Sequence, residues 1–121
     1  MKNYPEQFDH LQRLVAKLML EAPGAIAHFS RLHKETQAEA ALSTKTKELM
    51  ALAIAIAGHC ESCIAYHVHD ALKAGAARKE ILETIGVAIM MGGGPALMYG
   101  CDAFEALDQF EAKGKAQTPS T

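Results

Sequence analysis

Two cysteines one helical turn apart, Cys60 and Cys63, and His67 one further turn on are the residues of this chain whose types and spacing could do chemistry. They stand in the run Gly58-His59-Cys60-Glu61-Ser62-Cys63-Ile64-Ala65-Tyr66-His67. Successive helical residues rotate by about 100°, so on a helix starting near Cys60 all three share one face. An i, i+3 pair is about 5–6 Å apart, inside the Cα window that a disulfide tolerates. The pair can pass between dithiol and disulfide with little backbone movement. Both thiols would also lie where helix N–H groups are unpaired and the macrodipole is positive, which favours thiolate over thiol. His67 can accept a thiol proton or, as imidazolium, stabilise the thiolate. The pattern reads as a redox centre.

The elements that must position these residues read almost wholly as helix. Tyr4-Pro5-Glu6 suits a first turn, Phe8, Leu11, Val15 and Leu18 follow at helical spacing, and Ala22-Pro23-Gly24 ends that helix. A shorter helix follows with Ile26, Phe29 and Leu32 expected inward, and Lys34 to Ala41 has no clear boundary. Ser43 or Thr44 is a natural N-cap for the next helix. Its run LMALAIAIA has no polar residue and is expected to be buried on nearly every side. Glu48 stands at the edge of that run. There a carboxylate either reaches solvent or is pressed into a low-dielectric pocket, where its pKa would rise towards that of a useful base. Gly58 suits a left-handed C′ position, and the cysteine helix folds back from it and closes at Gly75.

A fifth helix is expected over Arg78 to Met91, with Ile81, Leu82, Ile85 and Ile89 inward and a weak cap at Ala76 or Ala77. Gly92-Gly93-Gly94-Pro95 breaks it, with Pro95 at N1 of a last helix over Ala96 to Ala112. The glycines lack the G-x-x-x-x-G-K-[ST] pattern of a phosphate cradle, and no strand precedes them. The reading is therefore an all-α, single-domain bundle of about six helices over residues 1–121, with a core at roughly 42–108 and a frayed tail at 113–121.

Composition narrows the function. A net charge of −2 gives no electrostatic footprint for nucleic acid or anionic membrane. No apolar run is long enough to span a bilayer, and Lys17 interrupts the only signal-like stretch near the N-terminus. A cytoplasmic protein is expected. In that compartment a C-x-x-C is catalytic or metal-binding rather than a structural staple.

Glu48, eleven residues, then Cys60-x-x-Cys63-x-x-x-His67 resembles the carboxymuconolactone decarboxylase superfamily, and the cysteine pair its alkylhydroperoxidase-like branch. The likeness runs through Gly75-Ala76 before Glu80-Ile81 and through Met-Gly-Gly-Gly-Pro-Ala at 91–96. It implies an all-α fold assembling as homotrimers or homohexamers. It also implies a thiol-dependent hydroperoxide or disulfide reductase, with Glu48 and His67 relaying protons beside Cys60 and Cys63. A histidine or aromatic residue often precedes the second cysteine in that branch; here it is Ser62.

The expected chemistry combines both lines. Glu48, through water or His67, takes a thiol proton; one thiolate attacks a hydroperoxide and the other thiol closes the Cys60–Cys63 disulfide. An external dithiol of lipoyl or thioredoxin type reduces it, and no bound cofactor or metal is needed. Cys63 is favoured as attacker for its proximity to His67, against the thioredoxin-type precedent for the first cysteine. Alternatives are a carboxymuconolactone-type decarboxylase, a redox sensor, or a zinc site of Cys60, Cys63, His67 and Glu48 or His59; three ligands on successive turns of one helix make an awkward tetrahedron. Cys101 reads as an inert packing residue, and His10, His28, His33 and His69 carry no argument.

Overall fold

Asn3 starts the first helix, α1 (Tyr4–Glu21), by accepting a hydrogen bond from the Glu6 amide at 3.1 Å. In the computed structural model, which describes residues 2–117, five more helices follow: α2 (Pro23–Thr36), α3 (Thr44–Ala57), α4 (Glu61–Lys73), α5 (Arg78–Gly92) and α6 (Gly94–Gln117). No strand occurs among the described residues. Ser43 caps α3, its hydroxyl accepting from the Thr46 amide at 3.0 Å. At α5 the cap is made from inside: Ala77 has no side-chain acceptor, and the Glu80 carboxylate reaches back to accept the Ala77 N–H at 2.8 Å. The end of α4 turns through Gly75 at φ +93°, with the Ala76 amide donating to the Ala71 carbonyl.

The inner layer is α3 against α4 and α5, with α6 packed across all three. Leu52 and Ile56 of α3, Ile64 and Val68 of α4, Ile81 of α5 and Leu107 of α6 are fully buried there. Tyr4 fixes α1 to this layer. Its side chain is fully buried and its hydroxyl donates to Asp102 Oδ1 at 2.9 Å, while its amide donates to Gln109 Oε1 at 2.7 Å. Burial and the Asp102 carboxylate push the Tyr4 phenol well up from its ordinary range, so it stays a donor. So anchored, α1 lies over the start of α4: Lys2 pairs with Glu61 at 2.6 Å, and Phe8 stacks on His69 with centroids 3.9 Å apart.

Five sequence expectations need correction. The apolar residues of α2 do not point inward: no residue of α2 is buried, and Phe29 and Leu32 are 69% and 57% exposed, because α2 packs mainly on α1 and not on the inner layer. Val15 and Leu18 of α1, and Leu82 of α5, are likewise exposed. The apolar run of α3 is buried on one side only, leaving Ile54 70% exposed. In addition, α6 continues as helix through 113–117; positions 118–121 of the expected tail lie outside the described residues. Cys101, expected to be a packing residue, is an exposed free thiol.

The turn before the cysteines also differs from expectation. Gly58 has φ −86°, and the left-handed residue is His59 at φ +59°. Histidine tolerates that conformation better than β-branched residues do. Gly58 is needed for space instead: a Cβ there would lie 2.9 Å from the Ile54 carbonyl oxygen.

Candidate active site

Cys60 is the N-cap of α4 and Cys63 its third residue, so the pair spans the first turn. The backbone turn at His59 drops Cys60 into an extended conformation, φ −111°, that lets its side chain fold over the helix start. The sulfurs are joined in a disulfide with Cα atoms 5.2 Å apart, so the i, i+3 spacing does bring the two residues within bonding range. The Cys63 amide donates to Cys60 Sγ at 3.3 Å, the contact a serine or aspartate oxygen makes at an ordinary N-cap. A thiolate at Cys60 would therefore receive a backbone N–H and the positive end of α4. Both cysteines are half-buried.

One turn beyond Cys63 on α4, His67 meets the acid from α3. Its Nδ1 lies 2.8 Å from Glu48 Oε2, and the other oxygen, Oε1, accepts from Gln37 Nε2 at 2.8 Å. Among the described residues Glu48 is the buried charged one, 3% exposed. Sequence pattern left open whether it met solvent or a pocket, and the pocket is where it lies. Its pKa moves opposite to the expectation for that case. Burial alone would push it up, but the His67 and Gln37 hydrogen bonds and the influence of His67 and His33 outweigh burial, and it stays below the ordinary 4.5. Glu48 is therefore a fixed anion that orients His67. In the tautomer that places a hydrogen on Nδ1 facing the carboxylate, Nε2 is the ring nitrogen left to take a proton.

That depression links Glu48 to stability. A carboxylate held below its unfolded value stabilises the fold above pH 4.5, and the contribution disappears as pH falls through the lower folded value. Below pH 4.5, the wild type should therefore lose stability more steeply than Glu48→Gln. Urea midpoints measured down this range check it; parallel curves would contradict it.

Sequence reasoning missed Gln37, which lies at the C-terminal end of α2, in a stretch without readable periodicity. It also passed over His33, whose ring centroid is 6.4 Å from that of His67, and Asp70. One donor atom from each of His33, Glu48 and Asp70 lies within 4.8 Å of the others. The zinc set considered from sequence is a different one, and in the disulfide neither of its sulfurs is a thiolate ligand. His59 stacks on Tyr99, centroids 4.8 Å apart. Ser62, standing where a relay histidine often stands, accepts from Gln7 Nε2 at 3.4 Å and so ties α4 to α1.

A profile of the carboxymuconolactone decarboxylase family matches residues 23–106. Among solved structures, a carboxymuconolactone decarboxylase family protein of Legionella pneumophila in its apo form is similar at a TM-score of 0.86, with 39% identity over 91% of this chain and 98% of its own. A family member from Thermotoga maritima, for which a part in an antioxidative response is raised as a possibility, is similar at a TM-score of 0.83. It is 26% identical over 94% of this chain and 98% of its own. An uncharacterised protein of Cupriavidus necator is 33% identical over 90 residues, 74% of this chain and 80% of that one. No helix among the described residues is long and apolar enough to cross a membrane.

Proposed function

Because the chain belongs to the carboxymuconolactone decarboxylase family, we propose that it works in the thiol-dependent manner, reducing hydroperoxides with Cys60 and Cys63. The observation that carries this reading is the Cys60–Cys63 pair closing across the first turn of the same helix that holds His67 on Glu48. His67, oriented by Glu48, takes the Cys63 proton. The Cys63 thiolate attacks the terminal oxygen of the hydroperoxide, the O–O bond breaks, and the departing alkoxide takes a proton to become the alcohol. The sulfenic acid on Cys63 is then attacked by Cys60, whose sulfur already faces a backbone N–H that stabilises its negative charge. Water leaves and the disulfide forms. An external dithiol returns two electrons and two protons through a mixed disulfide, releasing Cys60 thiolate as the better-stabilised leaving group.

The possible part of the Thermotoga maritima relative in an antioxidative response agrees with this reading. Consumption of a hydroperoxide in the presence of dihydrolipoamide, thioredoxin-type or glutathione-type donors tests it. The reading expects turnover with a dithiol donor; decarboxylation of a carboxylated lactone by a Cys60→Ser/Cys63→Ser variant, without peroxide turnover in the wild type, would replace it.

Assembly is the second half of the proposal. Ile54, Phe29, Met90, Met91 and Met98 are each at least 60% exposed in the single chain. So much large apolar surface suits an oligomer better than a monomer in water, and the family resemblance is what selects a homotrimer or homohexamer. Light scattering at micromolar concentration should give three or six chains. An active monomer there would contradict it.

A further inference from the structure

We propose that His33, Glu48 and Asp70 form a binding site for a borderline divalent cation of the zinc class, separate from the cysteine pair. Each residue comes from a different helix, α2, α3 and α4, and offers one donor atom within 4.8 Å of the other two. Donors on a tetrahedral ion with bonds of about 2.1 Å are about 3.4 Å apart, so the side chains have to close by up to about 1.4 Å. Rotation of the exposed His33 ring and the half-buried Asp70 carboxylate can supply that closure. One imidazole and two carboxylates, with a fourth position left for water, suit zinc, cobalt, iron or manganese. Calcium and magnesium prefer shells of oxygen alone.

Two further observations point to a cation. Glu48 is buried, yet its partners are the uncharged amide of Gln37 and the ring of His67, and no lysine or arginine pairs with it among the described residues. A carboxylate withdrawn from water in this way leaves negative charge that a bound cation would balance. In addition, the outer hydrogen bonds that steady metal-binding carboxylates are already in place. Gln37 and His67 hold the two oxygens of Glu48, and His69 Nδ1 lies 2.8 Å from Asp70 Oδ1. The exposed side of His33 provides the entry path.

The test is a Co²⁺ titration of metal-free protein with the Cys60–Cys63 disulfide intact, followed by visible absorption, with displacement by Zn²⁺ monitored by calorimetry. One equivalent per chain is expected, with ligand-field bands and no sulfur-to-metal charge-transfer band. His33→Ala and Asp70→Asn should each weaken binding by about 10–100-fold at unchanged helical circular dichroism. If Asp70→Asn misfolds, His33→Ala at its exposed position decides alone. Absence of stoichiometric binding, equal affinity in His33→Ala, or binding that appears only on reduction with a sulfur charge-transfer band would each overturn the site.

Discussion

Cys63→Ser is expected to lower multiple-turnover hydroperoxide reduction by roughly 10³-fold or more, the scale on which loss of a covalent nucleophile is felt. Serine at that position keeps the first turn of α4 but has no thiolate to offer His67. Cys60→Ser should differ in kind. The Cys63 thiolate would still attack one equivalent of hydroperoxide, since His67 and Glu48 are untouched, and the resulting sulfenic acid would then have no neighbour to condense with. A sulfenic-acid probe should label Cys60→Ser after one turnover and leave Cys63→Ser unlabelled. The opposite labelling would exchange the two roles and give the attack to the N-cap cysteine, whose sulfur accepts the Cys63 amide.

The second large effect falls on the proton relay. Glu48→Gln and His67→Ala should each slow thiol oxidation by about 10²–10⁴-fold, the usual cost of losing positioned acid–base help. The two act as one unit, because Glu48 Oε2 is bonded to His67 Nδ1 at 2.8 Å. The double variant should then be little worse than the poorer single one. Effects that multiply would mean that Glu48 acts on the thiols independently, through water. Glutamine at position 48 keeps the side-chain volume but has one oxygen for the two contacts that the carboxylate makes with His67 and Gln37, so its loss of rate combines lost charge with one lost acceptor.

The residues of the site were legible from sequence to the extent that one helix contains them. Cys60, Cys63 and His67 share α4, and a fixed rotation per residue is enough to place them on one face. Ser43 as a cap and Gly75 as a helix end were readable for the same local reason. Glu48 was legible as a candidate but its environment was not: whether a carboxylate at the edge of an apolar run meets water depends on what packs over it, here Gln37 of the α2 end and His67 of α4. Gln37, His33 and Asp70 gather there through tertiary contacts between three helices, and no spacing along the chain encodes that.

The misread faces have a different cause. Apolar residues at helical spacing show that a face avoids water, without saying what covers it. In α2 the pattern of Ile26, Phe29 and Leu32 resembles that of a core helix, yet the single chain leaves Phe29 and Leu32 exposed. At Gly58 the residue type was right for a tight turn, but for the wrong reason. The close approach of the Ile54 carbonyl requires the missing Cβ, and His59 carries the left-handed conformation.

The measurement that bears most directly on the central claim is a single-turnover titration of the fully reduced protein with hydroperoxide, quenched and mapped by peptide mass. One equivalent should be consumed per chain, yielding one equivalent of alcohol and an intramolecular Cys60–Cys63 disulfide while the exposed Cys101 remains a thiol. Hydroperoxide left unconsumed, or oxidation found mainly at Cys101, would contradict a redox centre at the start of α4.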